Sequence, residues 1–292
     1  MNTFSKKDGR PVISYEFFPP KTDAGEKNFW EALRALNRRH TPDAVSVTYG
    51  AGGSSRDRTE SLVCQVKSEM GLTAVAHLTC IGDTKQNLVR MLDHYKEQGI
   101  REILALRGDR QPHMPDDAWE TGDFKYANEL VAFIRERYPE FTVGVAAYPE
   151  GHPEAPDYQS DLVNFKRKVD AGADFAATQF FYNNDAFFTF LDDAHKMGVE
   201  IPIIPGILPI TDFKQVQRFA ALCGAKLPEW LVSKLEAVKE DKEAMHAVGV
   251  EVAIEQCRDL LERGCHGLHF FTLNKARAVD EILSALTLES AP

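Results

Sequence analysis

Two hydrophobic rhythms alternate along this chain. Short apolar runs with a period of two, beginning with "VISYEFF" at residues 12–18, give way to longer stretches where apolar residues recur every three or four positions, as over residues 24–39. The period returns to two at "AVSVTYG" (44–50). It does so again at "TAVAHLTC" (73–80), "EILALRG" (102–108), "TVGVAAYP" (142–149), "FAATQFFY" (175–182), "IPIIPGILP" (201–209) and "GLHFFTLN" (267–274). Helical patterns fill the gaps, with Gly71 and Gly172 as stops. Eight strands each followed by a helix predict an α/β fold of the (β/α)8 TIM barrel class. A doubly wound sheet competes, but it normally carries a Gly-rich turn after its first strand, where this chain has "PPK" (19–21). The stretch from Pro209 to Val248 exceeds one unit, and the pattern predicts two helices there, between strands seven and eight, with "KLPEW" between them. One domain over residues 1–292 is expected, with residues 1–10 as a flexible N-terminal arm and no regulatory domain behind it.

In the first strand Ile13, Tyr15 and Phe17 share one face, and Ser14, Glu16 and Phe18 the other. A glutamate on an inward face costs several kcal/mol unless paired, so Glu16 is either half of a structural ion pair or a working acid. Barrel function gathers where strands end and βα loops line one mouth. Seven of the eight strand ends carry polar residues: Glu16, Thr48, His77 with Thr79, Arg107 with Asp109, Tyr148, Gln179, and Thr272 with Asn274. Barrel interiors are usually filled by branched apolar side chains, so this set points to a site. Beyond the fifth strand, Asp161, Asn164 and Lys168 fall on one helical face that is able to clasp an anion. An exposed basic face is the plainer reading of the adjoining Lys166, Arg167 and Lys168 run. The glycines of "TYGAGGSSRDR" (48–58) suit a phosphate cradle or a plain loop.

Charge and cysteine usage narrow the partners. A formal net charge of -10 argues against nucleic acid and anionic membrane surfaces. Five scattered cysteines with no CxxC read as reduced thiols, hence a cytoplasmic location, and no segment approaches the ~18 apolar residues of a membrane span. A Schiff-base aldolase would need a strand-end lysine, whereas Lys21 and Lys275 follow their strands. A metal-dependent lyase could use Glu16, His77 and Asp109, but no ligand spacing supports it and no metal is expected. His266 and His269, beside Cys265, read as packed strand-end histidines.

Taken in order, "EFFPP", "SVTYGAGG", "HLTC", "ALRGD", "AAYPEGHPEA", "KRKVDAGADFAATQFFY", "IIPGILPI" and "HFFTLN" resemble the bacterial, single-domain type of methylenetetrahydrofolate reductase over residues 12–285. The resemblance implies a flavoenzyme that moves hydride from NAD(P)H to FAD and then to 5,10-methylenetetrahydrofolate, with ping-pong kinetics. It implies FAD contacts from Thr48, His77, Arg107, Gly108, Asp109, Tyr126, Ala127, Tyr148, His152, Asp161, Asn164, Arg167 and Lys168. Glu16 would be the general acid for opening the folate ring, its pKa raised by burial among Phe17, Phe18 and the ring systems. Asp109 would stay ionised beside Arg107 and favour the cationic iminium. Gln179 would bind pterin and nicotinamide in turn, Phe213 would stack on either, and Lys275 would meet the folate tail where the family pattern has arginine. The expected partners are 5,10-methylenetetrahydrofolate, NAD(P)H and further copies of the chain. A metal-dependent lyase and a non-catalytic folate or flavin binder are the rival readings.

Overall fold

Alternation along β1 (Val12–Phe17) sends Tyr15 and Phe17 outward onto helices and Ser14 and Glu16 inward, and both faces are covered. In the computed structural model, which describes residues 3–5, 9–49, 56–109 and 122–286, β1 pairs in parallel with β2 (Ala44–Val47) on one side and β8 (Gly267–Phe271) on the other. The circuit closes through β3 (Ala74–Thr79), β4 (Glu102–Leu106), β5 (Thr142–Ala147), β6 (Phe175–Phe180) and β7 (Ile203–Ile207). The (β/α)8 barrel expected from the alternating rhythms is therefore the fold, and each predicted run contains its strand.

Helices α1 (Asp23–Arg39), α2 (Arg56–Met70), α3 (Lys85–Glu97), α4 (Ala127–Arg137), α5 (Tyr158–Asp170) and α6 (Asn184–Lys196) follow strands one to six. In α1 the spacing of Phe29, Ala32, Leu33 and Leu36 makes one apolar stripe, and Phe29 meets Phe17 edge-on at 5.0 Å. Thr22 caps that helix by accepting from Gly25 N–H at 3.1 Å. Between β7 and β8 lie α7 (Phe213–Cys223), α8 (Glu229–Glu236) and the long α9 (Lys242–Glu262), which begins inside the stretch expected to hold two helices. They build a second apolar cluster beside the barrel around Phe180, Leu208, Phe213, Leu231 and Met245. After β8 comes α10 (Arg277–Ala285). None of the described helices is long and apolar enough to cross a membrane.

The end of the barrel opposite the mouth is sealed by a layer of Val12, Ala44, Val75, Leu104, Phe175 and Ile204. Phe4 completes it, stacked on Phe175 at 3.7 Å and 12°, while the Thr3 hydroxyl donates to Glu102 at 3.1 Å. The arm expected over residues 1–10 is thus anchored at Thr3 and Phe4, because a phenyl ring gains more by closing this apolar layer than by staying in water. Residues 1, 2 and 6–8 lie outside the described set.

Gly144 faces this layer from β5, where an added Cβ would overlap the Phe175 ring. Gly144→Ala should therefore destabilise the barrel by about 1–3 kcal/mol through overpacking, read as a lower urea midpoint at unchanged slope. An unaltered midpoint would show that the Phe4–Phe175 stack yields at no cost.

Candidate functional site

At the C-terminal ends of the strands the barrel opens into a cavity of about 960 Å³. Glu16 and His77 stand on its floor, Thr48, Arg107, Gly108, Asp109 and Tyr148 ring it, and Gln179 enters from β6. Tyr126, Ala127, His152, Asp161, Asn164, Arg167 and Lys168 complete the wall on the side of α4 and α5. These fifteen residues include every flavin contact expected from the sequence, and closure of the sheet brings them to one mouth.

Barrel closure gives Glu16 two imidazole neighbours. Oε2 lies 3.3 Å from His269 Nε2 and 3.4 Å from His77 Nε2, and the Glu16 side chain is 15% exposed. His269 Nδ1 is 2.8 Å from the Ser14 hydroxyl. The tautomer that serves both contacts donates from Nε2 to the carboxylate and accepts the Ser14 O–H at Nδ1. Burial pushes the Glu16 pKa upward, but the His269 hydrogen bond and the charges of His77 and His269 outweigh it, and the net direction is down. This corrects the expectation that burial among aromatic rings would raise it. The same burial holds His77 below its usual 6.5, against the pull of Glu16.

His269 and Ser14 are the site residues that sequence reasoning missed. His269 had been grouped with its chain neighbours His266 and Cys265, yet period-two alternation puts it on the inward face with Phe271, in register with Ser14. Thr178 was also missed. The β6–β7 register shifts between Ala177 and Phe180, so that Ala177, Thr178 and Gln179 all line the cavity where strict alternation would turn Thr178 away.

On the α5 side, Asp157 caps the helix and Asp161, 7% exposed, accepts from His152 N–H at 3.1 Å. Lys168 Nζ donates to the Ala146 carbonyl at 2.6 Å, and burial brings its pKa down to about 8. Burial likewise raises Asp161. Arg167 reaches back to Asn164 at 2.9 Å. Arg107 pairs with Glu154 at 2.7 Å, an acceptor not foreseen from the sequence, in addition to lying beside Asp109 in the chain. Gly108 has φ +94°, and a Cβ there would sit 2.6 Å from Ile81 Cγ2, so only glycine lets the chain turn at the end of β4.

Two expected substrate contacts lie elsewhere. Phe213, first residue of α7, is packed in the second apolar cluster and does not line the cavity. Lys275 lines a separate cavity of about 210 Å³, which shares Phe271 with the main one. Among the described residues, no group of three or more His, Cys, Asp or Glu side chains is arranged to hold a metal ion.

Comparison with known proteins adds the chemistry of relatives. The family model described as methylenetetrahydrofolate reductase matches residues 2–287. The chain is 40% identical over 274 residues to the 5,10-methylenetetrahydrofolate reductase of Escherichia coli (strain K12), covering 94% of this chain and 90% of that one. It is 38% identical over 293 residues to methylenetetrahydrofolate reductase (NADH) 1 of Arabidopsis thaliana, covering 97% of this chain and 49% of the plant protein. Among solved structures, a Clostridium thermocellum protein described as binding two copies of 5-methyl-5,6,7,8-tetrahydrofolic acid superposes with a TM-score of 0.61 at 15% identity, over 95% of this chain and 94% of that one. At that identity the likeness is one of fold.

The two depressed pKa values fix the sign of the acid response. An unfolded chain binds protons at His77 and Glu16 near 6.5 and 4.5, before the folded chain does. Their contribution to stability is complete above about pH 6.5 and declines as the pH falls through the two folded values. His77→Gln should flatten the upper part of that decline, below about pH 6.5, in urea midpoints measured across the range. The parental slope in that window would assign it to other groups.

Proposed function

Because this chain belongs to the methylenetetrahydrofolate reductase family of oxidoreductases, we propose that it reduces 5,10-methylenetetrahydrofolate to 5-methyltetrahydrofolate with hydride from NAD(P)H by way of bound FAD. The observation that carries the reading is the Glu16 carboxylate, held between two imidazoles on the floor of a single large cavity. The family assignment displaces the metal-dependent lyase and the non-catalytic binder.

The cavity suits a dinucleotide. Its volume is at the upper end of the ~300–1,000 Å³ of cofactor sites, and His77 Nε2 is buried there without a hydrogen-bond partner among the described residues. Lys168 and Arg167 offer positive charge to a diphosphate, Asp161 and His152 line the same wall, and the bare Gly108 backbone admits a flat ring. Bound FAD would take hydride from the nicotinamide and give it to the folate, with both substrates using one position in turn beside Gln179.

The protein's own residues supply the proton. Opening the folate's five-membered ring breaks the bond from the bridging carbon to N10, and N10 leaves with a proton from Glu16 Oε2 while N5 becomes an iminium cation. His269 Nε2–H donates to Glu16 Oε2 and Ser14 fixes the imidazole's orientation, so the carboxyl group that delivers the proton is held in place. Stacked substrate removes the remaining water, and desolvation favours the neutral, protonated form of Glu16. Asp109, on the rim, places negative charge toward the cationic iminium. Lys275 offers one cation to the folate's anionic tail from the adjoining cavity.

Glu16→Gln should separate the half-reactions. Bleaching of the flavin by NADH stays within about tenfold of the parent, whereas folate reduction falls by the ~10²–10⁴ that general acid catalysis provides. Stopped-flow traces of each half-reaction check this, and equal losses in both would make Glu16 structural. Lys168→Ala should weaken FAD binding by roughly 10–100-fold, the worth of one charge-assisted contact, with far-UV circular dichroism unchanged. Full flavin retention after dialysis would remove Lys168 from the cofactor site.

A further inference from the structure

β8 ends at Phe271, and the chain then turns through Leu273 (φ 50°) and Asn274 (φ 57°), the two non-glycine residues with positive φ among those described. Asparagine tolerates a left-handed backbone, but leucine adopts it only when its surroundings impose it. Here the turn is held against the end of β1. Phe18 N–H donates to Asn274 Oδ1 at 3.0 Å, and Asn274 Nδ2 donates to the Phe18 carbonyl at 2.8 Å. The strand ladder has its last registered pair at Glu16 and Phe271, so one side-chain amide stands in for the next rung. Thr272 joins it, since its N–H and hydroxyl both donate to the Glu16 carbonyl, at 3.1 and 2.7 Å. Asn274 N–H in turn donates to Thr272 Oγ1 at 3.1 Å.

One strained turn therefore holds the carbonyl of Glu16 and both polar backbone groups of Phe18, while His269 of the same strand holds the Glu16 carboxylate. Pro19 follows at once and brings no N–H of its own. Without the clasp, the end of β1 would be fixed on this side only as far as Glu16. The Asn274 bonds lie at exposed positions, where such bonds add little to stability, and Asn274 does not line the cavity. A strained, outward-lying clasp two residues from the proposed acid is suited to placement.

We infer that Asn274 is a positioning residue for folate reduction: by gripping Phe18 on both sides it fixes the end of β1, and with it the height at which Glu16 presents its proton in the cavity. The inference rests on the proposed role of Glu16. It predicts that loss of the clasp slows only the half-reaction that needs a proton.

The test uses the full-length, flavin-loaded protein. Asn274→Gly keeps the left-handed freedom and removes both bonds. Asn274→Asp keeps the acceptor for Phe18 N–H but sets a carboxylate oxygen against the Phe18 carbonyl, and it carries the test should the glycine variant not fold. Folate reduction should fall about 10–100-fold in Asn274→Gly, the cost of roughly an ångström of misplacement, and less in Asn274→Asp. Flavin bleaching by NADH, flavin content, thermal midpoint and the dissociation constant for 5-methyltetrahydrofolate should stay within about twofold or unchanged. Because Asn274 acts through Glu16, the double variant Glu16→Gln/Asn274→Gly should be no slower than Glu16→Gln alone. Additive losses, equal losses in both half-reactions, or parental folate reduction in Asn274→Gly while Glu16→Gln is slow would each overturn the inference. Parental folate reduction in Glu16→Gln would instead overturn the reading of Glu16 on which it rests.

Discussion

A carboxylate inside an otherwise apolar barrel cannot stand alone, and the arrangement around Glu16 follows from that constraint. Water is largely excluded from its floor position, so the charge is met by a hydrogen bond from His269 of β8, with His77 of β3 3.4 Å away on the other side. His269 in turn requires a partner for its other nitrogen and finds it in Ser14, two residues before Glu16 on the same strand. A closed circuit of three strands is needed to solvate one group. In an open sheet the edge strands would be far apart, whereas barrel closure puts β1 and β8 side by side and in register. The fold class and the site chemistry are thus one problem: the acid is tolerable only where the sheet closes on itself.

Much of this was legible before the structure. Strand positions came through because each period-two run is bounded by turn residues and followed by a 3.6-residue rhythm, and the inward parity of Glu16 followed from the same alternation. The cavity-lining side of α5 was visible as the spacing of Asp161, Asn164 and Lys168. What failed was whatever depended on partners distant in the chain. The direction of the Glu16 pKa is set by imidazoles 61 and 253 positions away, and a reading confined to residues 13–21 sees only burial. Beside Cys265 and His266, His269 reads as an ordinary packed histidine, whereas its register with Ser14 turns it inward toward Glu16. Phe213, expected to stack on substrate, opens a helix beside Leu208 and Ile210 and completes an apolar cluster there.

The two ends of the barrel show how one scaffold divides its labour. Opposite the mouth, aromatic and branched side chains fill the interior and leave no room even for a β-carbon at Gly144. At the mouth, polar side chains replace them, strand β6 loses its regular alternation, and the turn after β8 accepts a left-handed leucine. Tight packing at one end tolerates irregularity at the other, since the eight-stranded closure is already secured below the level of the site.

The seal made by Phe4 and Phe175 also governs the path of protons. Among the described residues, stacked rings and an apolar layer stand between Glu16 and that end of the barrel. Under the proposed chemistry, the acid must recover its proton from the mouth or through His269, and a folate lying across the mouth closes the first of these routes. By that first route, recharging the acid and releasing the product become consecutive events. The barrel behaves as a vessel with one opening, emptied before it is refilled.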